Sequence, residues 1–186
     1  MIPTPSIRVD GILAKPRFDK EDLVRLLTVR EDREKHRIYR LAHETKRTHT
    51  GNTVYLRGLI ELSNICRKDC YYCGIRKSNH HVNRYTLTEE EVVDKALWAW
   101  RRNLGSIVIQ TGERTDKAFI NLVESSIRKI RQETDNSLGI TLSCGEQDID
   151  TYRRWLDAGA HRYLLRIETS SEELFRKIHP DNEYHR

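Results

Sequence analysis

Apolar positions recur at three- and four-residue intervals through several stretches of the chain, and short β-rich runs separate those stretches. From Asp19 onward, Leu23, Leu26 and Leu27 form one helical stripe that Asp19 is placed to cap. A second helix is predicted over about 31–46, with Ile38, Leu41 and Ala42 facing inward and the Thr-His-Thr-Gly-Asn run at 48–52 as its break. The first 17 residues hold three of the four prolines and no sustained period, which predicts an extended arm.

Beyond Gly51 the pattern becomes strand, helix, strand. Residues 54–62 read as a first strand interrupted by Gly58. Thr88-Glu-Glu-Glu91 matches a capping box, and Val92, Val93, Ala96, Leu97 and Trp100 carry a helix to a stop near Gly105. Strands follow at 106–110 and 139–143, separated by a helix over 116–134 whose stripe is Ile120, Val123, Ile127 and Ile130. A helix at 148–158 closes on Gly159, a fourth strand is predicted at 162–168, and Ser170-Ser-Glu-Glu173 opens a further helix. Strand starts at 106, 139 and 162 suit successive βα units and a parallel sheet.

Such units wind right-handed and either close into a barrel or spread as a doubly wound sheet. An eight-unit barrel takes about 250 residues, and four units are visible here. The expected fold class is therefore α/β, a partial TIM-type barrel with parallel strands. Residues 1–50 form an N-terminal arm and helical extension, and residues 51–186 form the N-terminal part of the barrel, its C-terminal strands missing. A small four-stranded α/β domain is the alternative.

Charge changes this picture little. The 186 residues carry 33 Lys and Arg against 28 Asp and Glu, a net charge of +5, with acids and bases interleaved along the helices. That interleaving argues against a nucleic-acid partner, which requires a basic face. Hydrophobic residues at 37% and their regular spacing exclude disorder along the whole length. No apolar run is long enough to span a bilayer, so no membrane partner is expected. The N-terminus shows no secretory pattern, which makes the cytoplasm the expected compartment.

Cysteine placement matters more. Three of the four cysteines fall at Cys66, Cys70 and Cys73, directly after the first strand, while Cys144 stands alone. A strand's carboxyl end is where parallel α/β proteins gather their active sites. Three soft thiolates from one loop suit an iron-sulfur cluster with one iron left open for another ligand. A structural zinc wants four ligands, which Cys144, His80 or His81 would have to complete. Cys144 reads instead as a small packed residue, and the two histidines as solvated.

Cys66-x3-Cys70-x2-Cys73 with Tyr72 before the last cysteine resembles the signature of the radical S-adenosylmethionine (SAM) enzymes. Tyr55-Leu-Arg-Gly-Leu-Ile-Glu-Leu-Ser-Asn-Ile-Cys66 and the blocks beginning at Ile107, Ile140 and His161 are similar to the group that holds the FeFe-hydrogenase maturase HydE, biotin synthase and methylornithine synthase. The resemblance runs from about residue 19 to the end. It implies a 4Fe-4S cluster on Cys66, Cys70 and Cys73, with SAM on the fourth iron, cleaved to methionine and a 5′-deoxyadenosyl radical. It implies that Tyr72 lies beside the adenine, and that Gln110, Gly112 and Glu113 form the segment receiving the methionine ammonium. Thr141 and Ser143 would line the cavity, Glu168 would reach the SAM ribose, Arg166 the substrate or SAM side, and Arg186 the SAM carboxylate. No residue is assigned a catalytic role. Thr111 replaces a family glycine, and Ile167 stands where His often precedes the Glu.

The function implied is hydrogenase maturation on a small-molecule or organometallic substrate, with a reductase or ferredoxin-type electron donor and other hydrogenase maturases as partners. The alternative within the group is a mutase or synthase acting on a small amino acid or thiol. A zinc- or nucleic-acid-binding module ranks below both.

Overall fold

The computed structural model describes residues 9–185, and its contacts divide the chain into two compact units that part between Val54 and Tyr55. Residues 1–8 and Arg186 lie outside the described residues, and with them part of the expected arm and one expected SAM contact.

The first unit is helical. Helix α1 spans Val9–Leu13, α2 spans Lys20–Thr28 and α3 spans Asp32–Thr50. Asp19 caps α2 in a reciprocal box with Asp22. The expected extended arm is corrected at α1, where Val9 and Ile12 are buried. Helix α3 continues four residues past its expected end: the Thr48 and Thr50 hydroxyls donate back to the carbonyls of Glu44 and Lys46, and Gly51 at φ 74° stops it. No residue of α3 is fully buried, so its expected inward stripe of Ile38, Leu41 and Ala42 forms no closed core face.

The second unit holds a parallel sheet in the order β1-β2-β3-β4, with β1 at Gly58–Ser63, β2 at Ser106–Thr111, β3 at Gly139–Ser143 and β4 at Arg162–Tyr163. Helices α4 (Glu89–Arg101), α5 (Lys117–Glu133) and α6 (Ile149–Ala158) make the crossovers, and α7 (Glu172–Ile178) follows β4. Side chains alternate across a strand. Ile60, Leu62, Ile107, Ile109, Ile140 and Leu142 accordingly share one face and pack on Val92, Ala96, Val123, Ile127 and Trp155. Each such buried aliphatic side chain contributes about 1.5–3 kcal/mol. The opposite face carries Leu59, Glu61, Val108, Gln110, Thr141 and Ser143.

This arrangement decides between the two expected topologies. A doubly wound sheet reverses strand order at a switch point and carries helices on both faces. Here strand order is sequential and α4, α5 and α6 cover one face, so the sheet is the wall of a partial barrel.

Two strand limits differ from expectation. Strand β1 starts at Gly58 instead of being interrupted there. A Cβ on that residue would lie 3.0 Å from Ile107 Cγ2 and 3.1 Å from Ala99 Cβ, so glycine lets α4 and β2 close on the strand. Strand β4 ends at Tyr163, not at 168. It is the sheet's edge, paired only through Thr141 with Arg162 and Leu142 with Tyr163, and Leu164, Leu165 and Ile167 stand exposed.

Helix starts match the sequence closely. Thr88 and Glu91 form the predicted capping box, Asp116, Asp148 and Ser171 cap α5, α6 and α7, and Gly159 at φ 114° ends α6. Asp116 also pairs with Arg114, which grips its carboxylate with bonds of 2.8 and 3.0 Å and holds its pKa below the usual carboxylate value. A folded pKa below the unfolded value of about 3.9 means stability that is present above that pH and lost as pH falls through the folded value. Asp116→Ala is expected to cost about 0.5–2 kcal/mol near neutrality, a difference that thermal melts should show shrinking in acid.

Candidate functional site

The loop from β1 to α4 carries the cysteine triplet, and the backbone just after β2 holds it in place. Gly112 N–H donates to the Ser63 carbonyl at 2.9 Å, Arg67 N–H donates to the Glu113 carbonyl at 3.0 Å, and Glu113 N–H donates to Cys66 Sγ at 3.3 Å. A Cβ at Gly112 would lie 2.3 Å from the Ile65 carbonyl oxygen and 2.8 Å from Cys66 Cβ. Only glycine permits that approach.

Further bonds shape the loop. Cys73 N–H closes a turn onto the Cys70 carbonyl at 3.0 Å, and Ser78 N–H donates to Asp69 Oδ1 at 2.9 Å, a bond that lowers the Asp69 pKa. Arg84 gathers four carbonyls, those of Asn64, Ile75, Arg76 and Asn79, at 2.6 to 3.1 Å. Its planar fork offers more donors than a lysine ammonium and holds them in fixed directions. Tyr71 N–H donates to the Ile178 carbonyl at 3.0 Å, tying the end of α7 to the same loop.

All three thiols are free and half-buried. Burial raises the Cys70 pKa, and the nearby Cys66 and Cys73 thiols raise it further. Among the described residues, the grouping tight enough for a single ion is Cys70 with His179 and His185, not the triplet. A cluster distributes its thiolates over separate irons, so the wider triplet suits a cluster better than a lone zinc. The half-buried pocket, the glycine that admits a close approach and the amide aimed at Cys66 sulfur all fit that group.

Glu113 is buried, and its carboxylate receives Arg67 Nε and Glu146 N–H, each at 2.9 Å, with Lys68 Nζ at 3.5 Å. A buried carboxylate requires such partners. Gly145 at φ 74° leaves room for it, since a Cβ there would lie 2.4 Å from Glu113 Cγ. The Gly145 carbonyl accepts from Tyr163 Oη at 2.6 Å, and Gln147 Nε2 bridges the Arg114 and Cys144 carbonyls, so the loops after β2 and β3 form one framework.

The other expected residues fall into two groups. Gln110, Thr141 and Ser143 share the sheet face turned away from the helices. Gln110 pairs in register with Glu61 and Ser143, and its Nε2 donates to Glu61 Oε1 at 3.3 Å. Arg166 and Glu168 lie past the end of β4, exposed, with Glu168 in the left-handed region at φ 58°. The expected strand alternation of this pair is therefore corrected. Tyr72 lies edge-on to the His179 ring, with 3.2 Å between its hydroxyl and His179 Nε2. Its pKa is pushed up by burial first, then by its hydrogen bond to Cys70 and by the charges of Cys70 and Glu168.

Cys144 is fully buried, 3.9 Å from the Ile109 carbonyl, and burial pushes its thiol up to about 12, as a packed residue should be. His80 and His81 are exposed, as expected. Sequence reasoning missed Glu61, Arg67, Lys68, Arg84, Gly145, His179 and His185. Glu61 carried one usable signal, a charged residue alternating with Ile60 and Leu62 inside a strand.

Replacing Gly112 with Ala should push Ile65 and Cys66 away from β2 and destabilise the chain by about 1–3 kcal/mol. Iron bound per chain after anaerobic reconstitution should fall with it; full iron content at unchanged melting temperature would contradict the close approach.

Known proteins with this arrangement are consistent among themselves. Residues 60–186 match the Radical SAM superfamily. The chain is 37% identical over 172 residues to the FeFe-hydrogenase maturase subunit HydE of Thermotoga maritima, covering 92% of this chain and 48% of that protein. It is 30% identical over 162 residues to a biotin synthase of Bacillus cereus, covering 85% and 48%. The crystal structure of methylornithine synthase superposes with a TM-score of 0.82 at 25% identity, over 95% of this chain and 52% of that one. The chain thus spans about half the length of the curated relatives it matches. Superfamily members use a 4Fe-4S cluster and SAM, and with its motif, fold and loop framework in agreement, this chain belongs to the radical SAM superfamily.

Proposed function

We propose that the chain forms the cluster- and SAM-binding part of a radical SAM enzyme of the HydE type, acting on a small organometallic precursor during FeFe-hydrogenase maturation. The observation that carries this reading is the cysteine loop pinned across Gly112 and Glu113, in a chain 37% identical over 92% of its length to a HydE. Cys66, Cys70 and Cys73 hold the cluster, and cluster and SAM together supply a 5′-deoxyadenosyl radical.

The protein's share is positioning and exclusion. Glu113 N–H donates to the Cys66 sulfur and orients it towards the loop. The Glu113 carboxylate is placed for the methionine ammonium, which would take the position of the Lys68 contact, the loosest of its three partners at 3.5 Å. Gln110, Thr141 and Ser143 present polar groups on the sheet face turned away from the helices, while Tyr72 is assigned to the adenine and Glu168 to the SAM ribose by resemblance. Arg166 and Arg186 are assigned to the SAM or substrate side by resemblance. A reductase or ferredoxin-type protein would supply the electron, and other hydrogenase maturases are proposed as partners in the cytoplasm.

A second reading keeps the radical chemistry and replaces the substrate by a small amino acid or thiol. Ile167, where His often precedes the Glu, and the superposition on methylornithine synthase favour it. Products formed from each substrate class separate the two.

Anaerobic incubation of the reconstituted chain with SAM and a reductant should yield 5′-deoxyadenosine and methionine; none above background with the cluster intact would overturn the reading. Cys70→Ser should lose the visible absorption of the cluster while keeping the far-ultraviolet circular dichroism of the sheet, because Cys70 lies in the loop and contributes nothing to the core.

A further inference from the structure

His179 and His185 reach the cysteine loop from the far end of the chain, and both are buried, at 5% and 8% exposure. The His185 Nδ1 lies 2.9 Å from Asn182 Oδ1, and the His179 Nδ1 lies 3.0 Å from the Phe175 carbonyl oxygen. Both oxygens accept only, so each ring donates from Nδ1, which leaves Nε2 as the nitrogen turned to the loop and able to take a metal. His185 Nε2 lies 3.5 Å from Cys70 Sγ, and His179 Nε2 accepts from the Tyr72 hydroxyl beside it. Imidazoles that bind metals are oriented in this way, with the second nitrogen donating to a fixed oxygen.

We propose that Cys70, His179 and His185 form a mononuclear site for zinc or a similar divalent cation in the cluster-free chain, and that cation and cluster exclude each other because both need the Cys70 sulfur. The three ligand atoms lie within 4.8 Å of one another. Bonds of about 2.3 Å to sulfur and 2.0–2.1 Å to nitrogen at tetrahedral angles place ligand atoms about 3.5 Å apart. Cys70 and His185 already have that separation, and His179 completes the set by exchanging its Tyr72 hydrogen bond for the cation. Water takes the fourth position. A cavity of about 460 Å³ opens onto both histidines, with Glu172 and Asp181 beside Arg176 in its lining, and gives the cation its route in.

Binding replaces the Cys70 sulfur–hydrogen bond with a sulfur–metal bond and releases one proton to solvent. The imidazoles enter neutral, and no electron moves. Two nitrogens and one sulfur suit zinc or cobalt(II) better than calcium or magnesium, which take oxygen. Cys66 and Cys73 remain free, while zinc itself carries no redox chemistry and blocks one thiol of the triplet.

Cobalt(II) added anaerobically to the full 186-residue chain, freed of metal, tests the site. One equivalent should give tetrahedral ligand-field bands and a thiolate charge-transfer band. Cys66→Ser/Cys73→Ser should retain both, and His179→Ala/His185→Ala should lose both while still taking up a 4Fe-4S cluster. Asn182→Ala, which removes only the oxygen orienting His185, should weaken cobalt binding about 10–100-fold. Zinc loaded beforehand should slow cluster reconstitution in the wild-type chain and not in the histidine variant. Bands that persist in the histidine variant and vanish in the Cys66/Cys73 variant would place the cation on the triplet and overturn the proposal, as would a folded wild-type chain that binds no cobalt. Cluster uptake is read separately by its own absorption, so failure here leaves the cluster assignment standing, and the reverse.

Discussion

The approach of Gly112 to the Ile65–Cys66 backbone is the constraint on which the site depends. Parallel strands deliver their following loops to one end of the sheet, but adjacent loops normally splay apart to make room for side chains. At Gly112 there is no side chain to accommodate, and the Ile65 oxygen lies 2.3 Å from where a Cβ would be. The Gly112 and Glu113 amides can then bond to the Ser63 carbonyl and the Cys66 sulfur, which sets the first cysteine against β2. Gly145 makes the matching concession on the next loop, leaving space for the Glu113 side chain. Two missing methyl groups thus bring three loops into one framework, with Arg67, Lys68 and Gln147 as its cross-links.

Short-range signals along the chain account well for what local chemistry determines. Helix caps at Asp19, Thr88, Asp116, Asp148 and Ser171 are short-range hydrogen bonds, and each is present. The cysteine spacing is equally local. Strand ends are not: whether residues 164–168 continue as strand depends on a neighbour to pair with, which no window around them can reveal, and β3 ends at Ser143 before it can serve. The same reasoning explains why α3 has no buried face although its apolar period is regular: periodicity fixes a stripe, and burial needs something to cover it.

The site divides along the same line. Cys66, Cys70, Cys73 and Glu113 were visible because their residue types and order carry the motif. Arg84 was not, since a surface arginine in a polar loop looks solvated until four carbonyls are found around it. His179 and His185 were hidden by distance along the chain. Nothing near either residue points to Cys70, and only the docking of α7 through Tyr71 and Ile178 brings them there.

That docking has a consequence for how the protein is made. Tyr72 and His179 are 107 residues apart in sequence, Cys70 and His185 115. Synthesis runs from the N-terminus, so the cysteine loop emerges well before the segment that closes over it, and contacts of such long range form late. During that interval β1, Arg84 and the amides that follow β2 can hold the loop, but Cys70 and Tyr72 lack their histidine partners and stay open to solvent and to any metal or oxidant present. The order of the elements along the chain therefore makes the cysteine loop the first part of the site to be exposed and the last to be enclosed.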